Sequence, residues 1–221
     1  KYCKNIVFAS TASVYKSKDN LIKENSTTYP INPYAESKLA AENFLINYPK
    51  KKINYIILRF FNVAGAHKKL KSGLVTNKPT HLIKRLCVFA VNKKKNFSIF
   101  GNNYNTSDGT AIRDYIHVSD LCSIILLIIP KILKNRVSKI FNCGYGKGFS
   151  VKEVFEKFNK LSNFKLRPKY NKPRKGDVKI LVSDSSKIKK FLNWKPEFDN
   201  LSLILKSSIK WEKKVKQENF K

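Results

Sequence analysis

A tyrosine and a lysine, Tyr34 and Lys38, stand four residues apart in the stretch that begins at Pro30. Pro33 suits the first turn of a helix, and the residues that follow it are mostly good helix formers. Residues four apart share a helix face, so we expect the phenol and the ammonium to point into the same space. A neighbouring positive charge favours the phenolate form of a tyrosine. The spacing therefore predicts a candidate general base.

The same spacing occurs a second time, at Tyr48 and Lys52, with Pro49 between them. In that place it is typical of a solvated, basic helix end. Spacing alone thus leaves Tyr34 and Lys38 with two interpretations, a chemical pair or an ordinary surface pair. The flanking sequence has to decide between them.

Small polar residues follow the first apolar segment of the chain. Residues 5–10 predict a short buried strand, and Ser10, Thr11 and Ser13 lie at its carboxyl end. Open parallel sheets bind their ligands at that edge, which makes these hydroxyls candidates for a site. An ordinary turn at a strand end would also contain Ser and Thr.

Hydropathy patterns place the remaining elements. Continuous apolar runs predict strands at 54–62, 97–100, 113–118 and 139–142. Helices are predicted at 33–48 and 80–91, from an N-cap at Ser119-Asp120 to about 133, from a capping box at Ser150 and Glu153, near 185, and from about 201. A strand, a helix and a strand in this order imply a parallel crossover unit. The glycine-rich stretch 144–148 lacks the spacing of a dinucleotide-binding loop, and a strand-to-helix turn explains it.

Composition restricts the class of protein. The 221 residues are 42% hydrophobic, which is typical of a globular chain, and they include no Met, which indicates a processed chain or a fragment. The longest apolar run, 122–129, is far shorter than a membrane span, so we expect a soluble, cytoplasmic protein with no membrane partner. The four widely spaced cysteines are expected to be buried free thiols, and no metal site is predicted.

The net charge of +30 raises the question of a nucleic-acid partner. The lysines are spread along the whole chain and arginine is scarce. Surfaces that follow phosphates tend to concentrate their charge on one face. We therefore interpret the charge as a compositional bias and predict no nucleic-acid partner.

Five stretches combine into a pattern that is more specific than any single motif: FASTASVY at 8–15, PYAESK at 33–38, LRFFNVAGA at 58–66, DGTAIRDYIHV at 108–118 and NWKP at 193–196. Together and in this order they resemble the UDP-glucose 4-epimerase family of the extended short-chain dehydrogenase/reductase superfamily. The resemblance covers nearly the whole chain. It favours the chemical interpretation of Tyr34 and Lys38.

The resemblance implies an α/β fold, with the C-terminal part of a Rossmann-like parallel-sheet domain plus a smaller mixed α/β substrate-binding domain. Residues 1–66 would be the remaining part of the NAD-binding domain. Residues 67–221 would form the UDP-sugar domain, with about 112–135 packing back on the Rossmann sheet. Members of the family begin with a glycine-rich segment that holds NAD, and its expected absence here predicts that this chain alone is inactive.

The resemblance also implies a reaction, the reversible NAD-dependent epimerisation of UDP-glucose and UDP-galactose at C4 through a 4-keto intermediate. Tyr34 would take the proton of the sugar 4-hydroxyl, Lys38 would support Tyr34 and the nicotinamide ribose, and Thr11 would hold the reacting oxygen. The implied NAD contacts are Ser10, Tyr34, Lys38 and Phe60. The implied UDP-sugar contacts are Thr11, Phe61, Asn62, His81, Leu82, Ser98, Phe100, Arg113, Arg174, Asp177 and Leu181.

Three further expectations follow from the resemblance. The bulky Leu181 would disfavour N-acetylated sugars, unless it is simply a core residue. The resemblance leaves open whether the protein forms a homodimer. Another epimerase or dehydratase of the superfamily is an alternative, although dehydratases carry an Asp-Glu pair after the threonine and this chain has Ala12 and Ser13 there. A truncated, inactive relative or a basic binding protein is the non-enzymatic alternative.

Overall fold

The first part of the chain folds into the predicted parallel crossover unit. Strand β1 (Asn5–Thr11), helix α1 (Pro33–Asn47) and strand β2 (Asn54–Phe60) follow one another, and β1 and β2 pair in parallel. The computed structural model describes residues 3–16, 21–49, 53–174 and 176–218. Lys52, the partner of Tyr48 in the second Tyr/Lys spacing, lies outside these ranges.

The apolar run predicted as a single strand at 54–62 divides at Phe61. Strand β2 ends at Phe60, and a separate strand β3 (Asn62–Ala64) joins a different sheet. The chain leaves the first sheet at this point and enters the second. The residues that follow the carboxyl end of β2 therefore belong to the second sheet.

The rest of the chain alternates helices and short strands. In order they are α2 (Leu82–Val91), β4 (Asn96–Phe100), β5 (Ile112–His117), α3 (Val118–Lys134), β6 (Lys139–Cys143), β7 (Gly148–Ser150), α4 (Val151–Leu161), β8 (Arg167–Asn171), β9 (Ile180–Leu181), α5 (Ser186–Leu192) and α6 (Leu201–Gln217). Strands β7, β8 and β9 have no counterpart among the predicted elements. The α/β fold class is confirmed, and the division at residue 66 stays a prediction.

The strands form three sheets. The first has the parallel order β1-β2-β6. In the second, β5 pairs in parallel with β3 and β9 and antiparallel with β7. Strands β4 and β8 form a parallel pair of their own. The first sheet includes β6, although this strand follows β3 and β5 of the second sheet in sequence.

Strand β2 is buried on both faces, as its continuous apolar sequence predicted. Alternate side chains meet different helices. Ile57 packs in a cluster with Leu45 of α1, whereas Ile56 and Leu58 belong to the main core, which includes Ile124 of α3. The first sheet is thus held between α1 and α3, and α1 is fixed at the edge where β1 ends.

One local prediction, the N-cap at Ser119-Asp120, needs correction. Helix α3 begins at Val118, and its N-cap is His117, whose Nδ1 accepts from the backbone of Ser119. Asp120 is buried and accepts hydrogen bonds from the hydroxyl of Tyr145 and from two backbone N–H groups. The capping box of Ser150 and Glu153, in contrast, is confirmed. Of the described helices, none is long and apolar enough to cross a membrane.

Candidate active site

Helix α1 presents Tyr34 in its first turn. The side chain of Asn32 caps the helix by accepting from the backbone N–H of Ala35 at 2.9 Å, and Pro33 occupies the first helical position. The side chain of Tyr34 is 56% exposed. The phenol thus stands at the open end of the first sheet, where a substrate can reach it.

Lys38 lies one turn further along the same face of α1. Its Nζ donates to the carbonyl of Ala9 at 2.9 Å and lies 5.9 Å from the centre of the Tyr34 ring. It also lies 5.1 Å from the centre of the Phe8 ring. These contacts tie the ammonium to the carboxyl end of β1 and keep it beside the phenol. The predicted pairing of Tyr34 with Lys38 is present in the geometry.

Thr11 is the last residue of β1 and lies opposite Phe60 of β2. Its Oγ1 accepts from the backbone N–H of Ser13 at 3.2 Å, which caps the 3₁₀ turn Ala12–Val14. The residue is 8% exposed. Because Oγ1 acts as an acceptor in this bond, the hydroxyl proton can be donated to a bound oxygen.

Ser10 faces away from the site. Its hydroxyl donates to the carboxylate of Glu42, and only 2% of the residue is exposed. Glu42 in turn forms a buried ion pair with Arg59, which donates from Nε at 3.0 and 3.1 Å and also from Nη2. In this arrangement, the Ser10 hydroxyl supports the packing of α1 on β1 and β2, and its contact with NAD stays a prediction.

A cavity of about 640 Å³ begins where β3 continues from β2. Eight of the predicted substrate contacts line it: Asn62, His81, Leu82, Ser98, Phe100, Arg113, Arg174 and Asp177. The other predicted site residues, which lie outside this lining, are Ser10, Thr11, Tyr34, Lys38, Phe60, Phe61 and Leu181. The candidate site thus has two parts, an arginine-lined cavity and a catalytic edge at the ends of β1 and β2.

Positive charge is concentrated around Phe100. The guanidinium carbon of Arg174 lies 4.2 Å from the centre of this ring, and that of Arg85 lies 5.6 Å from it. Partial burial lowers the pKa of Arg85, and the positive charge of Arg174 lowers it further. The two cations disfavour each other, so an anion placed between them would be stabilised.

Arg85 was missed by the sequence analysis. It follows Leu82 by three residues in a predicted helix, so the two side chains share a face. That spacing is the signal that could have identified it once Leu82 was assigned to the site.

Arg113 is already neutralised by a carboxylate. Its Nη2 donates to Asp177, and its Nη1 donates to the carbonyls of Ile112 at 2.9 Å and Lys179 at 3.3 Å. This arrangement fixes the plane of the guanidinium at the cavity wall. Asp177 therefore orients Arg113, while Arg85 and Arg174 supply the net positive charge. Lys175, next to Arg174 in sequence, lies outside the described residues.

The amino end of α2 also faces the cavity. His81 is the N-cap residue, and within the described residues no side chain forms a capping hydrogen bond at the amino end of this helix. Both His81 and Leu82 line the cavity. An uncapped helix start presents backbone N–H groups and a partial positive charge, which together favour a phosphate.

Leu181 packs in a small apolar cluster. It is 8% exposed and belongs with Ala12, Tyr15 and Phe61, against which Leu39 of α1 also packs. This cluster joins the catalytic edge to β5, since Leu181 pairs with Arg113. Leu181 and Phe61 thus lie behind the catalytic edge and not on the wall of the arginine-lined cavity.

The cysteines are free thiols, but only two of the four match the predicted burial. Cys87 and Cys143 are buried, and burial raises the pKa of both thiols. Cys3 and Cys122 are exposed, because Cys3 precedes β1 and Cys122 lies on the outer face of α3. Across the described ranges, the structure contains no cluster of His, Cys, Asp and Glu that could hold a metal ion.

Known proteins resemble this chain along almost its whole length. The UDP-glucose 4-epimerase of Azospirillum brasilense is 39% identical over 214 residues, which are 96% of this chain and 62% of the relative. A crystal structure of the UDP-glucose-4-epimerase of Stenotrophomonas maltophila, with bound NAD and formylated UDP-arabinopyranose, is 29% identical with a TM-score of 0.92. It is matched over 97% of this chain and 65% of its own.

A third relative is the UDP-glucose 4-epimerase of Bifidobacterium longum, crystallised in complex with NAD+ and UDP. It is 33% identical with a TM-score of 0.87, over 96% of this chain and 64% of its own. The chain therefore spans a little less than two thirds of the relatives that it matches. Residues 1–144 match the family described as the NAD dependent epimerase/dehydratase family. This chain belongs to the NAD dependent epimerase/dehydratase family.

Proposed function

We propose that this chain is the catalytic and sugar-nucleotide-binding part of an NAD-dependent UDP-glucose 4-epimerase, which interconverts UDP-glucose and UDP-galactose. One observation carries the proposal: Lys38 bonds to Ala9 near the end of β1, and the strand that follows β2 begins at Asn62 in the wall of a cavity lined by arginines and an uncapped helix start. A phenol paired with an ammonium suits proton transfer at a sugar hydroxyl. The cavity suits the diphosphate attached to that sugar.

The lining of the cavity supports one orientation of the proposed substrate. The guanidinium groups of Arg85 and Arg174, together with the amino end of α2, would bind the diphosphate. Phe100 lines the cavity beside both guanidiniums, so the uracil ring would lie against this part of the wall. With these groups bound, the sugar extends past Asn62 towards the ends of β1 and β2.

At the catalytic edge, Tyr34 takes the proton of the sugar 4-hydroxyl and later returns it. Thr11 donates its hydroxyl proton to the same oxygen, and Lys38 holds its charge beside the phenol throughout. NAD, when bound, would supply the hydride acceptor for C4 of the sugar and the hydride donor for its return. Tyr34, Lys38 and Phe60 fit the nicotinamide end of such a cofactor, because all three lie at the open edge of the sheet.

The test is the interconversion of UDP-galactose and UDP-glucose by the full-length gene product with NAD. Replacing Tyr34 by Phe removes only the hydroxyl, and we expect turnover to fall by at least ~100-fold, the usual effect of losing a general base, with unchanged affinity for UDP. Tyr48→Phe is the matched control, since Tyr48 occupies the same spacing at the other end of α1 and should leave turnover intact. Near-normal turnover of Tyr34→Phe would overturn the assignment.

The non-enzymatic alternative is tested by the same protein preparation. A basic binding protein would be retained on heparin, released by salt and indifferent to UDP. A sugar-nucleotide protein would instead bind UDP in a manner that depends on Arg174. The two explanations therefore predict opposite results for the binding of UDP at the arginine-lined cavity.

A further inference from the structure

A second cavity, of about 550 Å³, lies behind the arginine-lined one. Its volume is in the range of small-molecule sites. Six apolar or weakly polar side chains form its inner surface: Cys87, Ala90, Val91, Phe158, Phe164 and Ile209. We call it the rear cavity. Nothing in the epimerase reaction described above uses it.

Helices α2 and α6 separate the two cavities. On α6, Trp211 and Glu212 line the arginine-lined cavity, whereas Ile209 and Lys213 line the rear cavity. Residues 209, 213 and 216 share one face of an α-helix, and 208, 211 and 212 share another. On α2, Cys87 contacts both cavities. The rear cavity is therefore a separate site that shares a wall with the first.

The rim of the rear cavity is positively charged. Lys93 follows α2, and Lys213 and Lys216 belong to α6, so the three ammonium groups come from different segments. Lys216 donates to the carbonyl of Val91 at 2.8 Å across the mouth and keeps two further N–H donors. Among the described residues, no carboxylate lines this cavity.

An apolar interior beneath lysine groups is complementary to an amphipathic anion. Burying an alkyl or aryl chain there is favourable because it removes apolar surface from water. Lysine side chains can cover such a chain with their methylene stems while their ammonium groups contact its charged head. The concave shape, enclosed by α2, α4 and α6, suits a single chain better than an extended peptide.

We propose that the rear cavity binds a medium-chain monocarboxylate, with its chain against Phe158 and Ile209 and its carboxylate at Lys93 and Lys213. The simplest competing explanation is that these lysines only neutralise the carbonyl groups at the carboxyl end of α2. In that case the charge of a ligand would not change its affinity for the rear cavity. The two explanations differ in what a neutral ligand of the same length does.

The experiment is isothermal titration of the protein with decanoate and with decanamide as the uncharged analogue. We expect saturable binding of decanoate at one site, at least ~5-fold tighter than decanamide, since each exposed ion pair contributes up to about 1 kcal/mol. Decanoate should bind equally well when UDP is saturating. Equal affinity for both probes, competition by UDP, or no saturable binding of decanoate would each overturn the proposal.

Two variants locate the site. The double variant Lys93→Gln with Lys213→Gln should weaken the binding of decanoate by at least ~5-fold and leave the affinity for decanamide unchanged. The matched control is Lys206→Gln with Lys210→Gln, two exposed α6 lysines that do not line the cavity, and it should change neither. Ala90→Phe, which fills the interior, should abolish binding of both probes. An unchanged affinity for decanoate in the first double variant would refute the assignment, and thermal melting shows whether each variant is folded.

Discussion

Breaking the buried ion pair between helix α1 and strand β2 should cost far more stability than breaking one on the surface. Glu42 of α1 and Arg59 of β2 have side chains that are 0% and 4% exposed, and three N–H to oxygen contacts join them. Glu42 lies eight residues after Tyr34, on the same face as Lys38. The pair therefore fixes the position of α1, with Tyr34 and Lys38, on the first sheet.

The perturbation is Glu42→Gln, which keeps the shape of the side chain and removes its charge. Arg59 would then stay buried without its counter-charge, although its ring contact with Tyr15 at 4.6 Å and its bond to the carbonyl of Glu24 at 3.0 Å would persist. Removing one partner of a buried pair typically costs about 3–5 kcal/mol. Because the amide can still accept from Ser10 and Arg59, we expect the lower end, about 3 kcal/mol.

The assay is urea unfolding followed by circular dichroism and tryptophan fluorescence, with the free energy extrapolated to water. The matched control is Lys147→Gln, which breaks the ion pair with Asp199; the Lys147 side chain is 57% exposed, and the loss should stay below about 1 kcal/mol. Replacing both buried partners, as Glu42→Leu with Arg59→Met, should recover part of the loss. A loss for Glu42→Gln no larger than that of the control would refute the reasoning.

Three further predictions concern other parts of the site. Burial lowers the pKa of His117, and its Nδ1 accepts from Ser119, so the unfolded chain binds more protons and the free energy of unfolding should fall as pH drops from about 7 to about 5. In urea titrations at several pH values, His117→Asn should reduce this dependence of the free energy on pH. An equal dependence in the variant and the unmodified chain would contradict the prediction. Gly73→Ala should lower the melting temperature and weaken the binding of UDP, because a Cβ there would lie 2.6 Å from the Trp211 indole. An unchanged melting temperature and an unchanged affinity for UDP would show that Trp211 moves to accommodate the Cβ, against this prediction. Leu181→Cys should reduce the preference for UDP-glucose over its N-acetylated form by roughly ten-fold, because the smaller side chain leaves more volume near the sugar. The measurement is kcat/KM for both sugars, and an unchanged ratio would show that Leu181 is only a core residue.

The sequence predicted what depends on local pattern. Helix α1, its proline start and the shared face of Tyr34 and Lys38 follow from spacing and propensity, and the parallel pairing of β1 and β2 follows from the helix between them. The capping box at Ser150 is likewise local. Each of these signals lies within a few residues of the feature that it predicts.

What the sequence could not show depends on partners that are distant in the chain. Strand β8 (Arg167–Asn171) is mostly exposed, has no apolar alternation and exists because β4 pairs with it. The ion pair of Glu42 with Arg59 and the meeting of Arg85 with Arg174 at Phe100 join separate elements. A charge or a cap that is satisfied by a remote segment leaves no periodic pattern to detect.

The most direct test of the central claim is the binding of UDP to the chain by isothermal titration calorimetry. We predict one saturable site with a dissociation constant below about 100 µM, and an at least ~10-fold loss of affinity in Arg174→Met, the effect of losing one charge-assisted contact. Arg136→Met, which removes an exposed arginine outside the cavity, is the matched control and should bind UDP as the unmodified chain does. Absence of saturable UDP binding, or equal affinity of the unmodified chain and Arg174→Met, would contradict the assignment of this cavity to a sugar nucleotide.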